Sequence, residues 1–274
     1  MGKTEIKILM LHGYTQSGPL FHAKTRALEK LLIKTLAPSA LLPTLIYPTG
    51  PNRLLPSDIP GYQPPSTGDG EGGEALAPPD AWAWWRKDDA TGTYRFFDEG
   101  MATVASAIRE AGGVDAICGF SQGGAVTGVV AAALEPGRKA PEGPEGDWCA
   151  NGERALRFAV SYSGFYAPVE RLAFCYEPEI KTPTLHYIGS LDTVVDESRS
   201  QALVDRCVEP LVIVHPGGHH VPVSKEWAMP LAGFIKQHAS TPPAQGRAMM
   251  NSKDKSRYHH KQHRQPVDLG QAPS

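Results

Sequence analysis

Hydrophobic and polar residues form two kinds of segment that alternate along most of the chain. Short apolar runs, which are typical of buried strands, occur at Ile6–Leu11, Leu41–Tyr47, Val114–Cys118, Leu156–Ser161, Thr184–Ile188 and Leu211–His215. Segments whose apolar residues recur three and four positions apart predict helices at His22–Leu36, Phe97–Ala111, Gln122–Leu134, Ser198–Cys207 and Ser224–Gln237. This alternation predicts an α/β fold, with a mostly parallel central sheet flanked by helices on both faces.

Three segments depart from this pattern and set the limits of the domain. Residues 48–79 hold eight prolines and six glycines without any period, and so long a connection is either a functional lid or a mobile loop. Residues 138–154 form a second polar insert, and the chain from residue 240 carries six Lys/Arg against two Asp/Glu. We therefore predict one domain over residues 1–239, with inserts at about 48–80 and 138–154, and a disordered polar tail over 240–274.

Composition and charge exclude several classes of protein. The formal net charge is −2, a field too weak to favour nucleic acid as the main partner. The chain has no apolar run of about 18 residues, and its N-terminal apolar run is short and interrupted by charges, so we expect neither stable membrane insertion nor a signal peptide. Weak binding of the basic tail to an anionic surface is the less favoured alternative.

The cysteines indicate a reducing compartment. Cys118, Cys149, Cys175 and Cys207 are widely and irregularly spaced, with no C-x-x-C pair. That spacing argues against a structural zinc site and against a disulfide scaffold. We therefore expect reduced thiols, a cytoplasmic location and no metal.

The strongest chemical motif is Gly119-Phe120-Ser121-Gln122-Gly123, which fits G-x-S-x-G. In this motif the serine lies on a turn so sharp that side chains two residues before and after it would clash, and the turn joins a strand to a helix. A predicted strand precedes the motif here and a predicted helix follows it. The alternative is an ordinary tight turn, but the context favours Ser121 as a nucleophile of an α/β-hydrolase.

A serine hydroxyl needs a base, which in this fold follows the acid in chain order. His219 follows the last predicted strand in His215-Pro216-Gly217-Gly218-His219, where two glycines give the loop freedom to reach over the sheet. The adjacent His220 is the main competitor. His186 and His215 lie in or at the end of strands, where packing is the expected role, and His238 lies at the end of a helix.

The acid is expected in the turn after the penultimate strand. Thr184–Ile188 is followed by Gly189-Ser190-Leu191-Asp192, so Asp192 would accept a hydrogen bond from the imidazole and fix its tautomer. Asp196 and Asp205 are alternatives in or next to the following helix. A cap or turn role for Asp192 is the structural alternative.

Two backbone N–H groups should stabilise the oxyanion. One is expected from Gln122, which follows the nucleophile. The other is expected from Tyr14, in the loop His12–Gly18 after the first strand, where Gly13 would let the backbone approach the substrate. We expect His12 to order this loop.

Taken together, several motifs resemble the FSH family of serine hydrolases, whose members include fungal esterases and thioesterases that release polyketides from synthases and the human ovarian-tumour-associated serine hydrolase. The resemblance runs in order from about Lys7 to Gln237. It is carried by Leu11–Gly18, Trp84–Trp85, Gly119–Gly124, Ser163–Phe165, Gly189–Val195 and His215–Pro222.

The resemblance implies an α/β-hydrolase fold, no cofactor, hydrolysis of carboxylic esters or acyl thioesters, and His219 as the catalytic histidine. The first insert lies where the family builds part of its acyl pocket, so it leaves the substrate open. Trp82, Trp84 and Trp85 follow that insert. They form either a wall of the acyl pocket or a packing cluster that anchors the insert.

The resulting hypothesis is a serine hydrolase that acts through an acyl-enzyme on Ser121, on a small acyl ester or thioester that is free or carrier-bound. One alternative is a dedicated thioesterase that releases an acyl or polyketide chain from a carrier in secondary metabolism. A second is a non-catalytic small-molecule binding protein on a hydrolase scaffold. A third is a nucleic-acid or membrane adaptor that works through the tail.

Overall fold

A six-stranded sheet forms the centre of the molecule in the computed structural model, which describes residues 2–61, 79–140 and 154–240. Its strands are β1 (Thr4–Leu11), β2 (Leu41–Ile46), β3 (Ala116–Phe120), β4 (Phe158–Tyr162), β5 (Thr184–Gly189) and β6 (Leu211–His215). They lie in the order β6-β5-β4-β3-β1-β2, and every neighbouring pair is parallel. The helices are α1 (Gly18–Leu36), α2 (Phe97–Glu110), α3 (Gln122–Ala133), α4 (Ala173–Tyr176), α5 (Glu197–Val204) and α6 (Lys225–Ala239).

Successive strand residues supply two separate cores, because side chains alternate between the faces of a sheet. In β1, Ile8 and Met10 pack with α1 and α6 on one face. Leu9 and Leu11 pack with α2 and α3 on the other face. Every one of these four side chains is at most 3% exposed. The all-parallel sheet covered on both faces confirms the predicted fold.

Each predicted strand and helix overlaps its observed counterpart, and the differences lie at the ends. Helix α1 begins at Gly18 rather than at His22, because Ser17 caps it by accepting a hydrogen bond from the Leu20 N–H at 3.3 Å. Strand β3 continues to Phe120, since Gly119 and Phe120 still pair with β4. The predicted end of this strand at Cys118 was therefore two residues early.

The first insert has ordered flanks, although its sequence shows no period. Asn52–Arg53 pairs antiparallel with Trp82–Ala83, and a single bridge joins Gln16 to Trp82. Further on, Arg86–Lys87 pairs with Tyr94–Arg95. The rest of this insert, most of the second insert and the predicted disordered tail, at residues 62–78, 141–153 and 241–274, lie outside the described residues.

Within the described ranges no helix has the length and apolar character that crossing a membrane requires. Cys118 and Cys207 are buried free thiols, and Cys175 is buried as well. Cys149 lies outside the described residues.

Candidate active site

Ser121 lies on the turn between β3 and α3, in a backbone conformation that residues other than glycine rarely adopt. Its φ is 54° and its ψ is −116°. A Cβ on Gly119 would lie 2.1 Å from the Gly123 carbonyl oxygen, and a Cβ on Gly123 would lie 2.2 Å from the Leu11 carbonyl oxygen. The two glycines are therefore required by close backbone approach. Strain of this kind is typical of a residue whose position the surrounding fold imposes.

A chain of two hydrogen bonds joins Ser121, His219 and Asp192. The His219 Nε2 lies 2.9 Å from the Ser121 Oγ, and its Nδ1 lies 2.7 Å from the Asp192 Oδ2. Because a carboxylate can only accept, the hydrogen is on Nδ1, and Nε2 is left to accept the hydroxyl hydrogen of Ser121. The structure thus brings together the three residues that the sequence singled out.

The Asp192 carboxylate is buried, with its side chain only 1% exposed. Its Oδ1 accepts the backbone N–H groups of Val194 and Val195, each at 2.9 Å. Burial by itself raises the pKa of Asp192, but the hydrogen bonds from His219, Val195 and Val194 outweigh it and hold the pKa below its ordinary value. The carboxylate is therefore ionised at neutral pH, as a partner for imidazolium must be.

The turn that carries Asp192 and the loop that carries His219 are joined by their backbones. The Ser190 N–H donates to the His215 carbonyl at 2.9 Å, and the Leu191 N–H donates to the Gly217 carbonyl at 3.1 Å. A Cβ on Gly189 would lie 2.6 Å from that Gly217 oxygen. These contacts fix the acid relative to the base.

The competing histidines have other surroundings. His220 is exposed, and its ring lies edge-on to His215 with centroids 5.3 Å apart. His186 lies inside β5, 4% exposed, with its Nε2 3.6 Å from the Cys207 Sγ. The ring of His238 packs against Phe234, with centroids 4.5 Å apart.

The two competing acids are the caps of helix α5. Asp196 is its N-cap and accepts a hydrogen bond from the Arg199 N–H at 3.2 Å. Asp205 is its C-cap and accepts from the Gln201 side chain at 2.7 Å. Only Asp192, of the three candidates, contacts an imidazole within the described part of the chain.

The loop after β1 approaches the serine closely. Leu11 pairs with Gly119 across the sheet, and a Cβ on Gly13 would lie 3.3 Å from the Ser121 Cβ. In the part of the chain that the structure describes, the backbone N–H groups of Tyr14 and Gln122 have no hydrogen-bond acceptor. Backbone donors without an acceptor, on the two segments that approach each other at Ser121, are what an oxyanion site requires.

His12 orders this loop from inside the protein. It is 0% exposed. Its Nδ1 donates to the Gly13 carbonyl at 2.8 Å, and its Nε2 accepts the Gly50 N–H at 2.9 Å. Burial lowers the pKa of His12 to about 4, although its hydrogen bond to Gly13 opposes the shift. The imidazole is therefore neutral near pH 7, in the tautomer that both hydrogen bonds need.

The tryptophans after the first insert have unequal surroundings. Trp84 and Trp85 are 0% and 2% exposed and belong to the core on the face of the sheet that α2 and α3 cover. The Trp85 ring stacks on Tyr94, with centroids 5.0 Å apart. Trp82 is only partly buried, and its indole N–H donates to the Asp80 carboxylate at 2.8 Å. For Trp84 and Trp85 this burial favours the packing interpretation over a pocket wall.

The side chain of Gln122 makes contacts that could not be predicted from the sequence, where this residue was expected only as a backbone donor. The Gln122 Oε1 accepts the Trp84 N–H, and its Nε2 donates to the Trp85 carbonyl, both at 2.9 Å. No sequence motif connects these residues, which lie 38 and 37 positions apart.

Within residues 2–61, 79–140 and 154–240, no group of three or more His, Cys, Asp or Glu side chains is arranged to hold a metal ion.

Comparison with known proteins gives the family. The profile described as "Serine hydrolase (FSH1)" matches residues 1–231. A Schizosaccharomyces pombe protein named dihydrofolate reductase is 31% identical over 236 residues, which cover 84% of this chain but 47% of that protein, so the chain spans about half its length. The Saccharomyces cerevisiae protein "Family of serine hydrolases 2" is 31% identical over 243 residues, covering 84% of this chain and 97% of that protein. Esterase OVCA2 of Danio rerio is 28% identical over 249 residues, covering 86% of this chain and 99% of that protein.

Solved structures share the fold. A SOBER1 variant of Arabidopsis thaliana superposes with a TM-score of 0.54 at 20% identity, covering 86% of this chain and 100% of that one. Acyl-protein thioesterase 2 of Zea mays gives a TM-score of 0.51 at 19% identity, covering 86% and 95%. With the family profile matched across the whole sheet, this chain belongs to the FSH1 family of serine hydrolases.

Proposed function

We propose that this enzyme hydrolyses carboxylic esters or acyl thioesters through an acyl-enzyme on Ser121. The observation that carries the proposal is the unbroken hydrogen-bond chain from Asp192 through His219 to Ser121, at 2.7 and 2.9 Å. This arrangement activates a serine hydroxyl, which is a weak nucleophile without a base.

In the first half-reaction the Ser121 Oγ forms a bond to the substrate's carbonyl carbon, while His219 Nε2 takes the hydroxyl proton. The carbonyl oxygen becomes an oxyanion, and the N–H groups of Tyr14 and Gln122 donate hydrogen bonds to it. Asp192 stabilises the imidazolium that forms. The bond to the leaving group then breaks, and His219 gives its proton to the departing alcohol or thiol.

In the second half-reaction water attacks the acyl-enzyme. His219 takes a proton from the water as its oxygen bonds to the acyl carbon, and the same donors stabilise the second oxyanion. The bond to the Ser121 Oγ breaks, and the serine regains its proton from His219. The carboxylic acid leaves, so atoms and charge balance without a cofactor.

The proposed substrate is a small acyl ester or thioester, free or bound to a carrier, and the proposed location is the cytoplasm. Buried free thiols at Cys118 and Cys207 support a reducing compartment. A series of matched oxygen esters and thioesters tests the thioesterase alternative, because a dedicated thioesterase should favour thioesters in kcat/KM.

Covalent labelling by a fluorophosphonate probe tests the proposal. We expect the probe to label the wild type and to fail with S121A and H219A. The matched control is H220A, which removes the neighbouring exposed imidazole and should label at the wild-type rate. Removing Ser121 should also lower kcat by about 10³–10⁶-fold.

Absence of labelling in the folded wild type would contradict the proposal and leave the non-catalytic binding protein as the better hypothesis. Labelling lost in H220A but kept in H219A would transfer the role of base to His220. Labelling retained in S121A would move the nucleophile elsewhere.

A further inference from the structure

Trp84 lies between the two backbone segments that carry the proposed oxyanion donors. Its indole N–H donates to the carbonyl of His12, two residues before Tyr14, at 2.9 Å. Its backbone N–H donates to the side chain of Gln122 at 2.9 Å. Trp84 therefore contacts both backbone segments of the proposed oxyanion site, which we call its two arms: the first at Gln122 and the second at His12–Tyr14.

The contact with Gln122 fixes the first arm. This side chain accepts from Trp84 through Oε1 and donates to the Trp85 carbonyl through Nε2. Both polar ends of the amide are thus used, and Gln122 is 6% exposed. Gln122 is also the first residue of α3, and its own backbone N–H, next to Ser121, is free within the described part of the chain. The two hydrogen bonds of its side chain therefore hold the start of α3 in place.

The contact with His12 fixes the second arm. The rings of Trp84 and His12 lie 4.9 Å apart, and both residues are 0% exposed. The carbonyl that accepts the indole N–H precedes Gly13, and the imidazole of His12 donates to the Gly13 carbonyl. The two successive peptide groups on either side of the Gly13 Cα are therefore both held, and the second of them contains the Tyr14 N–H.

Trp84 itself has no room to shift. Its carbonyl accepts a hydrogen bond from the Asn52 side chain at 3.1 Å. Helix α2 packs directly on it, because a Cβ on Gly100 would lie 2.0 Å from the Trp84 carbonyl oxygen. A residue that bridges two segments can set their separation only when its own position is fixed. Trp84 meets this condition, because Asn52 and helix α2 hold its backbone.

We propose that Trp84 is a positioning residue that sets the separation of the Tyr14 and Gln122 N–H groups, so that both reach one oxyanion. The proposal rests on the proposed function and deepens it. In this proposal Trp84 positions the oxyanion donors and does not form a wall of the acyl pocket. Stabilisation of an oxyanion depends on donors placed before the reaction begins, so loosening the bridge should weaken transition-state binding and leave substrate binding unchanged.

The decisive variant is W84F, which keeps a buried aromatic ring but removes the indole N–H. The matched control is W227F, the same change on helix α6, where Trp227 packs half-buried on the core at the other face of the sheet. Both variants and the wild type are assayed with a p-nitrophenyl ester. Each is also titrated with a trifluoromethyl ketone, which forms a tetrahedral adduct, and with the matching methyl ketone.

For W84F we expect kcat to fall about 10–100-fold with KM changed by less than about twofold, since loss of a whole oxyanion donor costs about 10²–10³-fold. The trifluoromethyl ketone should weaken by the same factor as kcat/KM, and the methyl ketone should bind as before. W227F should match the wild type in all four quantities. A merely structural defect would not separate the two ketones.

A second variant, Q122M, removes the other end of the bridge and should give the same separation between the ketones. Because both variants act on one bridge, the combined W84F and Q122M changes should cost less than the product of the two single effects. This variant also decides the question where W84F does not fold.

Three outcomes would overturn the proposal: W84F and W227F with equal kcat, an equal weakening of both ketones, or Q122M with the kcat of the wild type. An equal weakening would return Trp84 to the acyl pocket. A wild type that neither turns over ester nor reacts with fluorophosphonate contradicts the proposed function itself, and it is recognised before any variant is compared.

Discussion

The imidazole of His219 packs against the phenyl ring of Phe120, with ring centroids 4.7 Å apart and planes inclined by 39°. Phe120 directly precedes the proposed nucleophile, so the same sharp turn presents Ser121 and supplies a surface for its base. The Phe120 ring also stacks on Phe21, with centroids 6.4 Å apart. An aromatic face favours a cation, which is the form His219 takes when it holds the serine proton.

Replacing Phe120 with leucine should slow acylation. The F120L change removes the aromatic face but keeps an apolar side chain, and at about 1 kcal/mol of lost cation stabilisation the rate should fall about fivefold. Stopped-flow measurement of the acylation burst tests this directly. The control is F21L, which removes the ring behind Phe120 without touching His219 and should leave the burst rate within about twofold. Equal slowing in both variants would assign the effect to general packing.

Replacing Asp192 with asparagine should nearly abolish activity while the fold persists. An amide presents a hydrogen-bond donor or a weaker acceptor to the Nδ1 of His219, so the tautomer is no longer fixed and the imidazolium is no longer neutralised. We expect D192N to lower kcat by about 10³–10⁴-fold. In D196N the helix keeps an effective cap, and ester turnover should match the wild type. Comparable loss in both variants would remove the special role of Asp192.

Much of the fold could be predicted from the sequence because each element carries its own periodicity. Strands β3, β4 and β5 are short, mainly apolar runs that are buried at every position, as is typical of strands covered on both faces. The ends were less predictable, since they depend on particular contacts. Helix α1 starts early because Ser17 caps it, and β3 continues through Gly119 because pairing with β4 extends into the turn.

The proposed triad was accessible to sequence analysis because each member follows a predicted strand, and parallel strands present their carboxyl ends at one edge. The contacts of Trp84 with Gln122 and His12 were not accessible. They join residues 38 and 72 positions apart, through a segment that follows an insert without a period. Such contacts depend on tertiary packing, which leaves no local pattern.

A single methyl group on Gly123 should damage the active site more than one elsewhere on α3. In G123A the new Cβ would lie 2.2 Å from a backbone oxygen that cannot move aside. Overpacking costs about 1–3 kcal/mol and more against backbone, so we expect a lowered melting temperature and greatly slowed fluorophosphonate labelling.

The control for that change is G128A. There the new Cβ would lie 2.9 Å from the tip of the flexible Leu203 side chain, which can rotate away, and alanine favours the helix. Melting temperature and labelling rate should both stay close to the wild type. If G123A labels as fast as G128A, the turn at Ser121 is more tolerant than its geometry indicates.

Acid should destabilise the protein partly through buried histidines. Burial lowers the pKa of His12 and of His186 from 6.5 to about 4. The unfolded chain therefore takes up a proton at each histidine as the pH falls below 6.5, while the native state stays uncharged until the pH nears 4. The native state loses stability in that window, because unfolding takes up protons there.

Replacing His186 with leucine should remove one of these protons without touching the proposed catalytic groups. Between pH 6 and 5 the free energy of unfolding, measured by urea denaturation, should fall less steeply in H186L than in the wild type, by up to about 1.4 kcal/mol per pH unit. Above pH 7.5 the two slopes should coincide, because His186 is then neutral in both the native and the unfolded chain. Contributions from the other titrating groups cancel in this comparison. Parallel curves from pH 7 to 5 would mean that His186 takes up its proton in the native state as readily as in the unfolded chain.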